Sequence, residues 1–121
     1  MADPPVPPPE LAILLVTDAA ARLAKVLRGY RAQRDPGRLE IVVVTLAGAT
    51  VDRAAIVALG FPHVRVVTLA GRDIARAEDA AVRAATAPFV VFAQAHGHPR
   101  PGFVDAILAR ARTGASLAAG C

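Results

Sequence analysis

Cysteine is almost missing from this chain. Cys121 stands alone, so neither a disulfide framework nor a thiolate zinc cluster can form within it. A reducing, cytoplasmic compartment is the expectation. Aromatic residues make up only 4% and do not interleave with the basic ones, which removes the stacking platform of a single-strand binder; no nucleic-acid partner is expected. No apolar run approaches the roughly 18 residues of a membrane-spanning helix. Met1-Ala2-Asp3, followed by prolines, lacks the basic start and apolar core of a secretory signal, so no membrane attachment is expected from these residues. Three chemical signatures are also missing. Gly48 and Gly71-Arg72-Asp73 are too short for a dinucleotide fingerprint, no Walker loop exists, and no Gly-x-Ser-x-Gly elbow could carry a nucleophilic serine. Repeats of 20–50 residues are absent as well.

Apolar residues, rich in Ala and Val, make up 55% of the 121, enough for one packed domain with one core. The net charge of +4 comes from 13 Arg and one Lys against 10 acids. The arginines are scattered, which reads as solvated faces, although a phosphate-bearing partner would suit the sign. Residues 1–10, with Pro at 4, 5, 7, 8 and 9, read as an extended, disordered lead-in.

From residue 11 onward, strand and helix patterns alternate. Leu11–Val16 is a buried strand, and Asp18 is placed to cap the next helix. There Leu23, Val26, Leu27 and Tyr30 fall on one stripe. Asp35-Pro36-Gly37 is a turn. Ile41–Val44, led in by Glu40, is the most β-branched run and reads as a central strand. Thr50 can cap a short helix ending at Leu59 with Gly60 beyond it. Val64–Leu69, carrying Arg65, reads as a strand nearer an edge. Residues 74–86 read as a helix with Ile74, Ala77, Ala81, Val82 and Ala85 inward, stopped by Pro88. Phe89–Ala93 is an unbroken apolar run that suits a strand covered on both faces. A last helix has its stripe on Phe103, Val104, Ile107, Leu108 and Ala111. The apolar run 116–120 begins what reads as a further strand. This order predicts an α/β fold: a three-layer, Rossmann-like arrangement with a mostly parallel sheet of about four or five strands and helices on both faces.

Phe92, Gln94-Ala95-His96 and Pro99-Arg100-Pro101-Gly102-Phe103 together resemble the metal-binding loop of family 2 glycosyltransferases, the GT-A fold. In that family a strand ending in Phe leads to an Asp-x-Asp motif and then a Pro-x-Pro-Gly helix start. A subgroup has Glu-Asp-His there, and His96 fits its His. Residues 11–120 are similar to the amino-terminal, nucleotide-sugar-binding half, and 11–121 is expected to be that GT-A half-domain, truncated within a strand. Ala77-Glu78-Asp79-Ala80-Ala81 falls on the family's Ala-Arg-Asn-x-Gly motif, and Thr45, Leu46, Ala47 and Gly48 stand where Asp-Asp-Gly-Ser is usual.

The resemblance implies a nucleoside-diphosphate sugar as donor, bound by Thr17, Asp18, Thr45, Gly48, Arg72, Arg76, Asp79 and Gln94, with His96 and His98 as candidate ligands of Mn²⁺ or Mg²⁺. Hard cations prefer oxygen ligands, and no carboxylate stands in the Gln94-Ala95-His96 positions. Arg72 and Arg76, at the rim after the third strand, could pair with diphosphate oxygens instead. The catalytic base belongs to the family's carboxyl-terminal half. Two functions follow as expectations: transfer of a sugar to an acceptor, this chain forming the donor-binding half, or binding of a nucleotide or a protein partner without turnover.

Overall fold

The computed structural model describes residues 7–19, 23–33, 35–93 and 99–113, with Pro36 described by its backbone alone. Four strands, β1 (Leu11–Thr17), β2 (Leu39–Thr45), β3 (His63–Thr68) and β4 (Phe89–Ala93), form one sheet in the order β3-β2-β1-β4. Every pairing is parallel, with Leu11 beside both Leu39 and Phe89, and Glu40 beside His63. Between them run α1 (Leu23–Arg31), α2 (Arg53–Ala58) and α3 (Ile74–Ala84), and α4 (Phe103–Arg112) follows β4. This is the expected three-layer α/β architecture. β2 is central and β3 lies at an edge, as their composition implies.

The alternation of each strand divides the core into two layers. Leu11, Ile13, Leu15, Leu39, Ile41, Val43, Val64 and Val91 face α1, α2 and α4. The whole expected stripe of α1 is buried there, with Tyr30 edge-on to Phe103 at 6.2 Å between ring centroids. On the other face Ala12, Leu14, Val42 and Val44 meet α3 through the buried Ala77 and Ala81, with Ala84 partly buried beside them. Alanine on the helix side of this second contact lets the helix backbone approach closely, at the cost of a thin apolar layer.

Several expectations change at this second face. Ile74 and Val82, expected inward, are 53% and 45% exposed, because α3 lies over β1 and β2 and meets them through its narrow alanine stripe. β4 is not covered on both faces. It forms the second edge of the described sheet, and Phe89, Val90 and Phe92 are 37–42% exposed. Val90 and Phe92 pair with Ala12 and Leu14, so they share the α3 face but lie beyond the helix that would cover them. Asp52, not Thr50, caps α2, its Oδ1 accepting from the Ala54 N–H at 3.0 Å. Gly60 follows as expected, at φ +111°.

The helix expected over 74–86 ends at Ala84, and Glu40 explains the early stop. Its buried carboxylate accepts from the Thr86 N–H (2.7 Å), the Thr86 hydroxyl (2.8 Å) and the Ala87 N–H (3.1 Å), and Arg65 Nε lies 3.4 Å away. These amides find a charged acceptor on β2, a stronger partner than a helical carbonyl. Burial pushes the Glu40 pKa up, but the Thr86 and Ala87 hydrogen bonds and the Arg65 charge outweigh it, and the net shift is downward.

Gln33, also buried, supplies the missing cap of α4. That helix has Gly102 before it and no side-chain cap of its own. Gln33 Oε1 accepts from the Val104 N–H at 3.2 Å while its Nε2 donates to Arg100 O at 2.8 Å. Arg38 pairs with Asp105, and Arg112 with Glu10 at 2.6 Å. The described part of the lead-in is thereby tied to the domain: the Glu10 N–H donates to Arg38 O, and Pro7 O lies 2.8 Å from His63 Nε2.

Candidate functional site

In a parallel α/β sheet the carboxyl ends of the strands converge, and their loops form the ligand crevice. Here the loops after β1, β2 and β3 are stitched together by backbone bonds. The Leu46 N–H donates to Thr17 O (2.9 Å), the Ala47 N–H to Gly71 O (3.0 Å) and the Leu69 N–H to Thr45 O (2.8 Å). After β2, Ala47 and Gly48 both have positive φ, 54° and 78°, and the Ala49 N–H closes the turn onto Leu46 O. Two left-handed residues in succession, one of them Ala, mark local strain of about 1 kcal/mol. Beside this turn lies a cavity of about 220 Å³, walled by Leu46, Thr68, Leu69, Gly71, Asp73 and Arg76. It is below the ~300–1,000 Å³ of a small-molecule pocket, so it suits one portion of a nucleotide-sized ligand.

The expected residues fall into three groups. Thr17 and Thr45 are buried at the strand ends and committed locally: the Thr17 hydroxyl exchanges hydrogen bonds with Ala19, and Thr45 Oγ1 lies 3.5 Å from Val67 O. Asp18, Gly48, Arg72 and Arg76 are exposed on the rim. Arg72 Nη1 stands 3.8 Å from Asp18 Oδ2 and bridges the loops after β1 and β3, while Arg76 lines the cavity. Residues 20–22, where an Asp18 cap would act, lie outside the described residues. Asp79 sits in the middle of α3, paired with Arg83 at 2.8 Å, apart from the three stitched loops. Gln94, His96 and His98 lie outside the described residues.

Asp73 escaped the sequence reading as a functional residue. It caps α3, accepting from the Arg76 N–H at 3.2 Å, and walls the cavity. The signal was its position just before an apolar-periodic segment. The cap orients the first turn of α3, and with it Arg76, toward the crevice. Among the described residues no three His, Cys, Asp or Glu side chains are grouped to hold a metal ion, and Asp18 faces a guanidinium.

The fold has counterparts among solved structures. The crystal structure of S. aureus TarS 1-349 superposes with a TM-score of 0.71 at 16% identity, over 86% of this chain and 32% of that one. A crystal structure of S. aureus TarS gives 0.67 at 17%, over 87% and 20%. The chain thus spans a third or less of the structures it resembles. No curated protein sequence matches it. The model of the family described as glycosyl transferase family 2 matches residues 12–121, nearly the whole chain. Together with a four-stranded parallel sheet of GT-A, Rossmann-like form, that match makes this chain a member of glycosyl transferase family 2.

Proposed function

We propose that this domain binds the nucleotide portion of a nucleoside-diphosphate sugar in the crevice after β1, β2 and β3, as the donor-binding part of a glycosyltransferase. The observation that carries this reading is the exposed pair Arg72 and Arg76 at the strand-end loops, Arg76 lining the 220 Å³ cavity. Transfer breaks the bond between the sugar carbon and the diphosphate oxygen and leaves negative charge on the diphosphate. Guanidinium groups beside it lower the cost of that charge, an effect larger in the transition state than in the ground state. The Ala47-Gly48 turn brings main chain to the crevice without a bulky side chain. Asp18 is exposed and available to a ribose hydroxyl once Arg72 turns to phosphate. The acceptor hydroxyl must also lose a proton, and no described residue is assigned that role.

A second reading, nucleotide binding without turnover, is favoured by one observation: the carboxylates at the described strand ends are not grouped. The test is calorimetric titration of the full chain with UDP, GDP and CDP, with and without Mn²⁺, followed by an assay for release of the sugar. Binding that needs no Mn²⁺ supports an arginine-held diphosphate. Binding that appears only with Mn²⁺ brings His96 and His98 into the site. No binding of any nucleoside diphosphate under either condition overturns the reading.

A further inference from the structure

A second hollow among the described residues, larger than the strand-end cavity, is not at the carboxyl ends of the strands. It is an open groove of about 520 Å³ that follows the free edge of β3, lined by residues 62–67 and walled by Arg53 of α2, Ala84 of α3, and Thr86. β3 pairs with β2 on one side and with no other described strand. The Leu69 N–H donates to Thr45 O of β2, so alternate residues of the strand direct their main-chain groups inward, and Val64 and Val66 direct theirs to the groove. Arg53 Nε donates to Val64 O at 2.9 Å, which confirms that this carbonyl points outward. An exposed edge of this kind is a template for an added strand.

The groove's charge identifies what it would accept. Arg53 and Arg65 stand on its two sides, with Arg65 54% exposed, and His63 lies at one end. The acid that lines it, Glu40, is 2% exposed, saturated by Thr86 and Ala87 and 3.4 Å from Arg65 Nε, so the charge offered to an incoming chain is that of Arg53 and of the half-exposed Arg65 side chain. A second copy of this edge would bring Arg53 and Arg65 against their equivalents. We infer that the edge of β3 is a docking site for an extended acidic peptide, which adds as a fifth strand between α2 and α3 and places its carboxylates beside Arg53 and Arg65. Main-chain bonds to the Val64 N–H and to Val66 supply the affinity and the arginines the selectivity. This site is separate from the strand-end crevice and independent of the donor reading.

The test is fluorescence anisotropy of the full chain with a labelled, end-blocked peptide of Glu-Glu-Val-Val repeats, which puts carboxylates on both faces of an added strand. Its controls are the Lys-Val counterpart and an acidic peptide N-methylated on alternate residues. The acidic peptide is expected to bind saturably and more weakly at high salt. Affinity is expected to fall about tenfold or more with N-methylation, and about as much in Arg53→Gln/Arg65→Gln. Val66→Pro removes an outward N–H that β2 does not use, so it is expected to abolish binding, whereas Val66→Ala, which loses the same packing against the core but keeps that N–H, is expected to bind the peptide like the parent. No binding, equal binding of the N-methylated or Lys-Val peptide, or a concentration-dependent dimer relieved by Val66→Pro would each overturn the proposal, the last in favour of self-pairing.

Discussion

The two ends of β2 carry opposite kinds of polar chemistry. At its start Glu40 is almost sealed from solvent and holds three short hydrogen bonds to Thr86 and Ala87, with Arg65 alongside. At its end Thr45 is equally buried, but its hydroxyl makes one long contact, and the charged groups beyond it, Asp18, Arg72 and Arg76, stand in solvent. A buried, saturated charge contributes to stability because any change leaves partners unsatisfied. Exposed, loosely paired charges contribute little to stability and remain free to exchange partners. The start of the strand is therefore built for folding and its end for binding.

The largest effect that would break this contrast is at Glu40. Glu40→Ala is expected to destabilise the domain by about 2–3 kcal/mol, because the Thr86 and Ala87 amides lose a charged acceptor, while nucleoside-diphosphate affinity is unchanged. Urea unfolding and calorimetry measure the two. Since the folded pKa of Glu40 is lowered, its contribution is fully present above the unfolded value of about 4.3 and is lost as pH falls through the folded value. The stability gap between the parent and Glu40→Gln should narrow below about pH 4. A gap that is constant with pH would mean that the carboxylate charge is irrelevant.

Next in size is Gln33→Ala, expected to cost about 1–2 kcal/mol, the range of a lost helix cap. Its effect should appear as earlier hydrogen exchange at Val104 than at Ile13, since the cap serves the first turn of α4 and not the sheet. Uniform loss of protection would refute that local role.

At the other end, Arg72→Ala/Arg76→Ala is expected to weaken nucleoside-diphosphate binding by about 1–2 kcal/mol, or roughly five- to thirtyfold. The melting temperature should hardly move, because both side chains are exposed. Unchanged affinity would remove the observation on which the donor reading rests.

How much of this contrast the sequence reveals depends on the range of the interactions. The α1 stripe, the parallel order and the central place of β2 follow from periodicity and β-branching within a few residues. Glu40 could be read only as a residue leading into a strand, since Thr86 and Ala87 are 46 and 47 positions away. The Gln33 clamp spans 67 and 71 positions and leaves no local pattern. Phe89–Ala93 misleads for a related reason: an apolar run specifies a strand, but its burial depends on which helix reaches it, and α3 does not. At the site, the strand-end loops are legible because topology fixes them. The pairing of Asp18 with Arg72 is not, because it joins two loops.

That pairing provides the smallest test. At 3.8 Å and with both side chains more than half exposed, the ion pair contributes at most about 0.5 kcal/mol to stability, so Asp18→Asn should leave the melt unchanged. Its effect on ligand affinity can take either sign, and the sign identifies the role. If Asp18 only restrains Arg72, neutralising it frees the guanidinium, and a nucleoside diphosphate binds about twofold more tightly. If Asp18 accepts from a ribose hydroxyl, the substitution weakens binding instead. A deoxyribose diphosphate, with fewer hydroxyls to lose, would then show a smaller difference between the parent and Asp18→Asn. The donor reading favours the second outcome, because a rim that exchanges an internal ion pair for two ligand contacts uses both charges at once.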